Sequence, residues 1–123
     1  MRYLTPRKRA EGRGAAHSGT HHHWSMTLSS VGLAFLVPTW IYVFGTTLGQ
    51  DHAGVVDTFS RPFPAILTAL LLVIGMRHFA MGATMMVEDY TRGTGRKLAV
   101  LGIVMLSWLI GAVGIFALAK LAL

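Results

Sequence analysis

Three long apolar segments divide this chain and constrain its fold more than any other feature of the sequence. They cover residues 25–48, 63–88 and 98–120 and contain few charged residues. A helix needs about 20 apolar residues to cross a bilayer, so each segment is long enough to span one. The sequence therefore predicts an all-α integral membrane protein with three transmembrane helices.

Composition supports the membrane class and limits the cofactors that this chain can hold. Hydrophobic residues make up 53% of the sequence and charged residues 13%, which leaves too little polar surface for a water-soluble domain of this size. The chain contains no cysteine, so disulfides, zinc–thiolate sites and iron–sulfur ligation by its own residues are excluded. Any cofactor must be bound through histidine, methionine, carboxylate or backbone groups.

The distribution of charge predicts how the chain is oriented in the membrane. The net charge of +6 comes mainly from an amino-terminal arm, residues 1–24, and from the loop 89–97. The loop 49–62, in contrast, carries two aspartates and a single arginine. Because lysine and arginine accumulate on the cytoplasmic side, we predict a cytoplasmic amino terminus, a periplasmic loop at 49–62 and a periplasmic carboxyl terminus. Apolar segments separate the basic clusters, which argues against a surface that binds nucleic acid.

The second apolar segment is unusual because it carries Arg77 and His78 near its middle. Ionisable residues are rare in membrane segments, and those that occur there usually have a function. On a helix that turns about 100° per residue, His78 shares one face with Gly82, Met85 and Asp89. A neutral imidazole in lipid is a good ligand for haem iron, and Gly82, one turn away, leaves room for the macrocycle.

The same residues also have a purely structural interpretation, in which His78 bonds a neighbouring helix and the glycines allow close helix packing. The haem hypothesis makes a further prediction, because neither of the other two segments contains a histidine that could be the second axial ligand. A haem here therefore requires a second subunit. Arg77 points about 100° away from His78 and could snorkel, pair with an anionic group of a cofactor or face a polar partner.

The second segment ends in Glu88, Asp89 and Tyr90. A phenol and a carboxylate at the membrane surface can hydrogen-bond the carbonyl group of a lipid-soluble quinone and pass protons to it during reduction. The alternative is an ordinary helix end with an interfacial tyrosine and solvated acids. The sequence pattern alone is compatible with both.

Three consecutive histidines, His21, His22 and His23, precede the first apolar segment. Consecutive helical residues point about 100° apart, so all three cannot bind one metal ion, and no carboxylate or cysteine supports them. At a cytoplasmic membrane surface they are better placed to hydrogen-bond a soluble partner, lipid phosphates or the carboxylates of a cofactor.

Two motifs carry a resemblance to a known family. The first is GTHHHW at residues 19–24, which leads into the first apolar segment, and the second is H-x-x-x-G-x-x-x-x-x-E-D-Y at residues 78–90. Together with the basic amino terminus and the three apolar segments, they resemble the hydrophobic membrane anchor subunit of succinate dehydrogenase, respiratory complex II, of the proteobacterial type. The resemblance covers nearly the whole chain.

The resemblance implies a fold, a cofactor and site residues. In this family the three-helix anchor and a three-helix cytochrome b556-type subunit form one bundle that shares a haem b. Carried over by position, His78 is the axial ligand of the haem iron that this subunit supplies. Tyr90 is the tyrosine that hydrogen-bonds ubiquinone, and Asp89 lies beside it.

The resemblance also implies a reaction and a location. Succinate is oxidised on a flavoprotein subunit, and electrons pass through an iron–sulfur subunit to ubiquinone at the cytoplasmic edge of the anchor. The chain would be a multi-pass protein of the bacterial inner membrane that serves the tricarboxylic acid cycle and aerobic respiration, as one subunit of the enzyme and not an enzyme alone. Other subunits would bind the flavin and the iron–sulfur clusters.

The sequence departs from the family at Thr27, a position near which many relatives carry an arginine close to the haem propionates. We hypothesise that Arg77 or the histidines His21 to His23 supply the missing positive charge. Two alternatives stand beside this interpretation. One is a cytochrome b anchor of another quinone-linked dehydrogenase or of a fumarate reductase, and the other is a cofactor-free membrane scaffold or assembly protein.

Overall fold

The computed structural model describes residues 5–12 and 19–122, and in these ranges the chain forms five α-helices and no strand. The helices are α1 (Pro6–Gly12), α2 (Gly19–Gly45), α3 (His52–Ser60), α4 (Pro62–Tyr90) and α5 (Gly93–Ala122). Arg2 and Arg13 of the predicted basic arm lie outside these ranges. The predicted all-α class is confirmed.

Three of the helices, α2, α4 and α5, are long and apolar enough to cross a membrane. They contain 27, 29 and 30 residues. At about 1.5 Å per residue, each is longer than the roughly 30 Å of a bilayer's hydrocarbon core. Each helix contains most or all of one predicted apolar segment, so the number and order of the predicted transmembrane helices are confirmed.

The long helices begin and end at residues other than the predicted limits of the spans. α2 begins at Gly19, so the three consecutive histidines lie near its start and not in an arm that precedes it. α4 ends at Tyr90 and α5 begins at Gly93, so only two residues of the predicted loop 89–97 lie between helices. Helical hydrogen bonding continues past the apolar residues, which a pattern of apolarity cannot show. Where the membrane surfaces cross these helices stays a prediction.

Two glycines with positive φ reverse the chain between long helices. Gly49, with φ 84, follows α2, and Gly93, with φ 67, opens α5. This backbone conformation is strained for residues that have a Cβ, so glycine is favoured at both positions. At the second turn the amide of Thr91 donates to the carbonyl of Val87 over 2.9 Å and closes the last turn of α4. α4 and α5 therefore form a tight antiparallel hairpin.

The predicted periplasmic loop 49–62 contains the short helix α3. The carboxylate of Asp51 caps this helix by accepting a hydrogen bond from the amide of Gly54 at 2.9 Å. Phe59 is buried, and α3 contacts both α4 and α5. This part of the chain is therefore a helix packed against one end of the hairpin.

α4 is the central element of the fold. It packs against α2 and against α5, whereas α2 and α5 make no close contact with each other within the described residues. The arrangement is open, and Phe59, Pro64, Leu67 and Leu118 are the only buried apolar side chains in the described ranges. Lipid or partner subunits must cover the other apolar side chains, because so few of them are removed from solvent by the chain itself.

α2 and α4 are antiparallel and keep a regular register. Toward one end, Nε1 of Trp40 donates to Oγ1 of Thr68 over 3.0 Å. Near the middle, Leu33 lies 3.9 Å from the position that a Cβ would take on Gly75. Each turn along α4 toward its carboxyl end is matched by one turn along α2 toward its amino end. The start of α2 therefore lies beside the end of α4, which are the two regions that the sequence motifs mark.

Candidate functional site

The face of α4 that contains His78 packs against α2. Three residues at one-turn intervals on this face each meet a residue of α2: His78 meets Ser29, Gly82 meets Met26, and Met85 meets His22. The predicted common face of His78, Gly82 and Met85 is confirmed. Asp89, predicted on the same line, is exposed beyond the last of these contacts.

His78 is half-buried and lies about 18 Å along α4 from Tyr90, at about 1.5 Å per residue. Its Nδ1 is 2.8 Å from Oγ of the buried Ser29. No described residue bonds its Nε2, and no buried side-chain nitrogen or oxygen in the described ranges lacks a partner, so Nε2 lies at the accessible surface of the chain. One ring nitrogen is thus held by α2, and the other is open to a ligand from outside the described chain.

Gly82 faces α2 and has more room than packing requires. A Cβ on this residue would lie 3.8 Å from the terminal methyl group of Met26, which is an ordinary van der Waals distance. Close packing between α2 and α4 therefore does not by itself require a glycine here. The space beside Gly82, which we predicted to accommodate a haem macrocycle, borders Met26.

A groove of about 540 Å³ opens beside this face and is lined by Gly19, His21, His22, Ser25, Arg77 and Met81. Nη2 of Arg77 lies 3.5 Å from Oγ of Ser25, at the limit of a hydrogen bond. No carboxylate pairs with Arg77 among the described residues. The structure thus brings His21, His22 and Arg77 together at one groove, where a positive charge is not neutralised by the chain.

His23 and Thr27 do not line this groove. Thr27 is exposed, and its hydroxyl donates to the carbonyl of His23 over 3.0 Å. Thr27 therefore satisfies a backbone carbonyl of its own helix and adds no charge. Two of the three consecutive histidines, and not all three, are placed to meet an anion together with Arg77.

His22 makes a second contact between α2 and α4 that sequence analysis missed. Its Nε2 lies 3.1 Å from Sδ of Met85. A thioether sulfur is a weak acceptor, so the contact suits a ring N–H at Nε2. Helical periodicity predicted that Met85 and His78 share a face of α4. Which residue of α2 meets Met85 depends on the register between the two helices, and the sequence of neither helix shows that register.

Tyr90, Asp89 and Glu88 end α4 on the exposed surface. Tyr90 is 86% exposed, and no described residue bonds its hydroxyl or the carboxylate of Asp89. Glu88 lines a shallow groove of about 430 Å³ with Arg96 and Lys97 but forms no ion pair with either in the described chain. The structure therefore leaves the phenol and the carboxylate free but does not enclose a quinone pocket by itself.

A further groove, lined mainly by apolar side chains, lies between α4 and α5. It has a volume of about 680 Å³, and the residues that line it on α5 include Ser107, Trp108 and Gly111. Arg77 and Met81 line this groove as well as the groove beside α2. Sequence analysis did not predict this groove, although the small residues of α5 are a signal for close approach to a neighbouring surface.

This site can offer a ligand the imidazole of His78 and a groove that carries the positive charge of Arg77. No group of three or more histidine, cysteine or acidic side chains that could hold a metal ion exists in the described ranges. Among the described residues, His78 is therefore not part of a ready-made metal-binding cluster. That a haem would require a second subunit stays a prediction.

Comparison with known proteins identifies the class to which this membrane protein belongs. The profile of the family described as succinate dehydrogenase/fumarate reductase transmembrane subunit matches residues 1–119. The chain therefore belongs to this family. No solved structure matches it.

Relatives within the family define a narrower group. The chain is 45% identical over 123 residues to the succinate dehydrogenase hydrophobic membrane anchor subunit of Paracoccus denitrificans, with 100% of this chain and 95% of that protein aligned. It is 26% identical over 84 residues to the anchor subunit of the same name from Rickettsia conorii, covering 67% of this chain and 66% of that one. The resemblance seen in the sequence and the assignment to a multi-pass protein of the bacterial inner membrane are confirmed.

Proposed function

We propose that this chain is the hydrophobic membrane anchor subunit of succinate dehydrogenase and that it binds haem b through His78 and ubiquinone through Tyr90. The family and the full-length relative support the anchor role. The observation that carries the cofactor assignment is the geometry of His78. Its Nδ1 is held by Ser29 while its Nε2 has no partner among the described residues.

The residues present fit one side of a haem site. A histidine that ligates a metal usually hydrogen-bonds through its second ring nitrogen, as His78 does here. When bound, haem would supply a one-electron redox centre. The described parts of α2, α4 and α5 contain no histidine besides His78 and the three near the start of α2. The second ligand would therefore come from a cytochrome b556-type membrane subunit.

The groove beside α2 suits the anionic edge of the cofactor. Arg77, His21 and His22 line it together, and Arg77 has no carboxylate partner in the described chain. A guanidinium can donate to a carboxylate in a bidentate manner, and imidazole N–H groups can add further donors. These residues would hold the haem propionates or contact the partner subunit, in place of the arginine that the family carries near Thr27.

Tyr90 and Asp89 would act on ubiquinone. The Tyr90 hydroxyl can donate a hydrogen bond to a quinone carbonyl oxygen, and Asp89 can relay protons from the cytoplasm to the reduced oxygen. Two electrons and two protons convert the quinone to the quinol. The electrons would come from succinate oxidised on the flavoprotein subunit and pass through the iron–sulfur subunit at the cytoplasmic surface, where the basic loop of this chain is predicted to lie.

The experiment that tests this function is a difference spectrum of dithionite-reduced against oxidised complex, isolated from native membranes through a tag on this chain. We expect a b-type spectrum in the parent complex and its loss in His78→Ala. His52→Ala is the matched control, because His52 is exposed in α3 and should leave the spectrum intact. A parent complex that contains no haem would overturn the cofactor assignment.

The cofactor-free scaffold remains the second candidate because one observation favours it. The bond between His78 and Ser29 is also what a purely structural histidine would make with a neighbouring helix. In that case the difference spectrum shows no haem band in the parent complex, and His78→Ala weakens only the contact between α2 and α4.

A further inference from the structure

Ser29 has an unusual set of neighbours for a hydroxyl group inside a membrane helix. Its Oγ lies 2.9 Å from the carbonyl oxygen of Ser25 and 2.9 Å from that of Met26. The same oxygen lies 2.8 Å from Nδ1 of His78. Ser29 is only 7% exposed, so water does not compete for these contacts.

A hydroxyl has a single hydrogen to share among these three neighbours. Two of the neighbours are carbonyl oxygens, which can only accept a hydrogen bond. If the hydrogen pointed to His78, the lone pairs of the serine would face two carbonyl oxygens at 2.9 Å with no proton between them. The hydrogen therefore lies toward the carbonyls of α2, and the serine oxygen accepts from His78.

We propose that Ser29 is a positioning residue that holds His78 as the tautomer protonated at Nδ1. In neutral imidazole the other nitrogen then carries the lone pair, so Nε2 is the ligating atom. The inference rests on the proposed haem-binding function and adds the residue that sets the protonation and the orientation of the ligand. Neither the motifs in the sequence nor the relatives assign a role to Ser29.

The bond has an electronic consequence for a ligated iron. An acceptor on the Nδ1 proton increases the basicity of the imidazole, which favours the ferric over the ferrous state. Removing the acceptor should therefore move the midpoint potential of the haem to a more positive value. It should also free the ring to rotate, and a loss of such outer partners typically weakens metal binding about 10-fold to 100-fold.

The test compares Ser29→Ala, Ser29→Thr and Ser30→Ala in the intact complex. Ser30 is the matched control, because it is the next residue, it is exposed and its hydroxyl bonds only the carbonyl of Met26. Two quantities are measured: the midpoint potential of the haem by redox titration, and the rate of haem loss to apomyoglobin. We expect Ser29→Ala to raise the potential and to speed haem loss about 10-fold. Ser29→Thr keeps the hydroxyl and should behave like the parent, as should Ser30→Ala.

The possible results separate this inference from the function on which it rests. If His78→Ala abolishes the haem spectrum but Ser29→Ala leaves both quantities unchanged, the positioning role is wrong and the haem ligand stands. If Ser29→Thr shows the same change as Ser29→Ala, volume and not the hydroxyl matters, and the inference is again wrong. A parent complex without haem overturns both. If Ser29→Ala does not assemble, Ser29→Cys, whose thiol is a poor acceptor, is expected to raise the potential in the same direction.

Discussion

Arg77 lines the groove beside α2 and also the groove of about 680 Å³ between α4 and α5. A charged residue near the centre of a membrane helix costs about 2.5–3.5 kcal/mol on insertion scales. The described chain offers no carboxylate to offset that cost, only the hydroxyl of Ser25 at 3.5 Å and two histidines nearby. The open positive charge at this position favours an anionic group brought in by a cofactor or by another subunit.

Tyr90 provides the residue-scale prediction for the quinone site. Tyr90→Phe removes the only phenol at this end of α4 and should lower the rate of succinate-dependent ubiquinone reduction about 100-fold, the smaller end of the effect expected for a lost proton donor. The measurement is the steady-state rate with a soluble ubiquinone analogue.

Two further measurements show whether the loss is specific to the quinone. Succinate oxidation with an artificial acceptor that takes electrons from the iron–sulfur subunit, and the haem spectrum, should both stay at parental levels. Tyr42→Phe, near the opposite end of α2, is the control variant and should have no effect. A Tyr90→Phe complex with the parental quinone rate would contradict the proposed contact.

At the scale of the helices, the two contacts of α4 are of different kinds. α2 is joined to α4 by side-chain hydrogen bonds at Trp40 and Ser29, whereas α5 approaches through glycines that face apolar side chains of α4. A hydrogen bond between membrane helices contributes about 0.6 kcal/mol on average, so neither kind of contact is strong alone. The closest approach is at Gly114, where a Cβ would lie 3.0 Å from a methyl carbon of Leu72.

We therefore expect a larger residue at Gly114 to disturb the packing of α4 against α5. Gly114→Val should force Leu72 aside and destabilise the α4–α5 contact by about 1–3 kcal/mol, the usual range for overpacking. Gly102→Val is the matched control on the same helix, because nothing lies within 4 Å of a Cβ at Gly102. The measurement is the thermal midpoint of the detergent-solubilised complex, and equal midpoints for the two variants would show that the contact is not tight.

The helices also show how far the sequence alone could predict the structure. Length and apolarity predicted three spanning helices, and helical periodicity predicted that His78, Gly82 and Met85 share a face. The partners of that face, Ser29 among them, depend on the register between two helices, and no pattern within either helix encodes it. The helix α3 was missed because its residues are neither apolar enough for a span nor arranged in a long periodic pattern.

At the scale of the whole molecule, the chain is incomplete as a folded unit. Few apolar side chains are buried in the described ranges, and the two outer helices do not contact each other. Large apolar side chains such as Phe35, Trp108 and Phe116 stay exposed. A membrane protein can leave such residues to lipid, but the exposed Nε2 of His78 and the open Arg77 need a polar counterpart.

This incompleteness provides the whole-molecule prediction. The chain produced without the cytochrome b subunit should show no low-spin b-type spectrum, because in the proposed site this chain would supply His78 as its one protein ligand. Production together with that subunit should restore the spectrum in the purified pair. The measurement is the reduced-minus-oxidised spectrum in the same detergent, and a low-spin haem in the isolated chain would contradict the shared site.

The two-residue turn between α4 and α5 has a consequence for how deep these helices lie. Only Thr91 and Arg92 separate the end of α4 from the start of α5, so neither helix can shift far along the membrane normal unless the other shifts with it. Tyr90 ends α4 directly before this turn, and Arg96 and Lys97 lie in the first two turns of α5 directly after it. The depth of Tyr90 is therefore tied to the depth of the basic residues of α5.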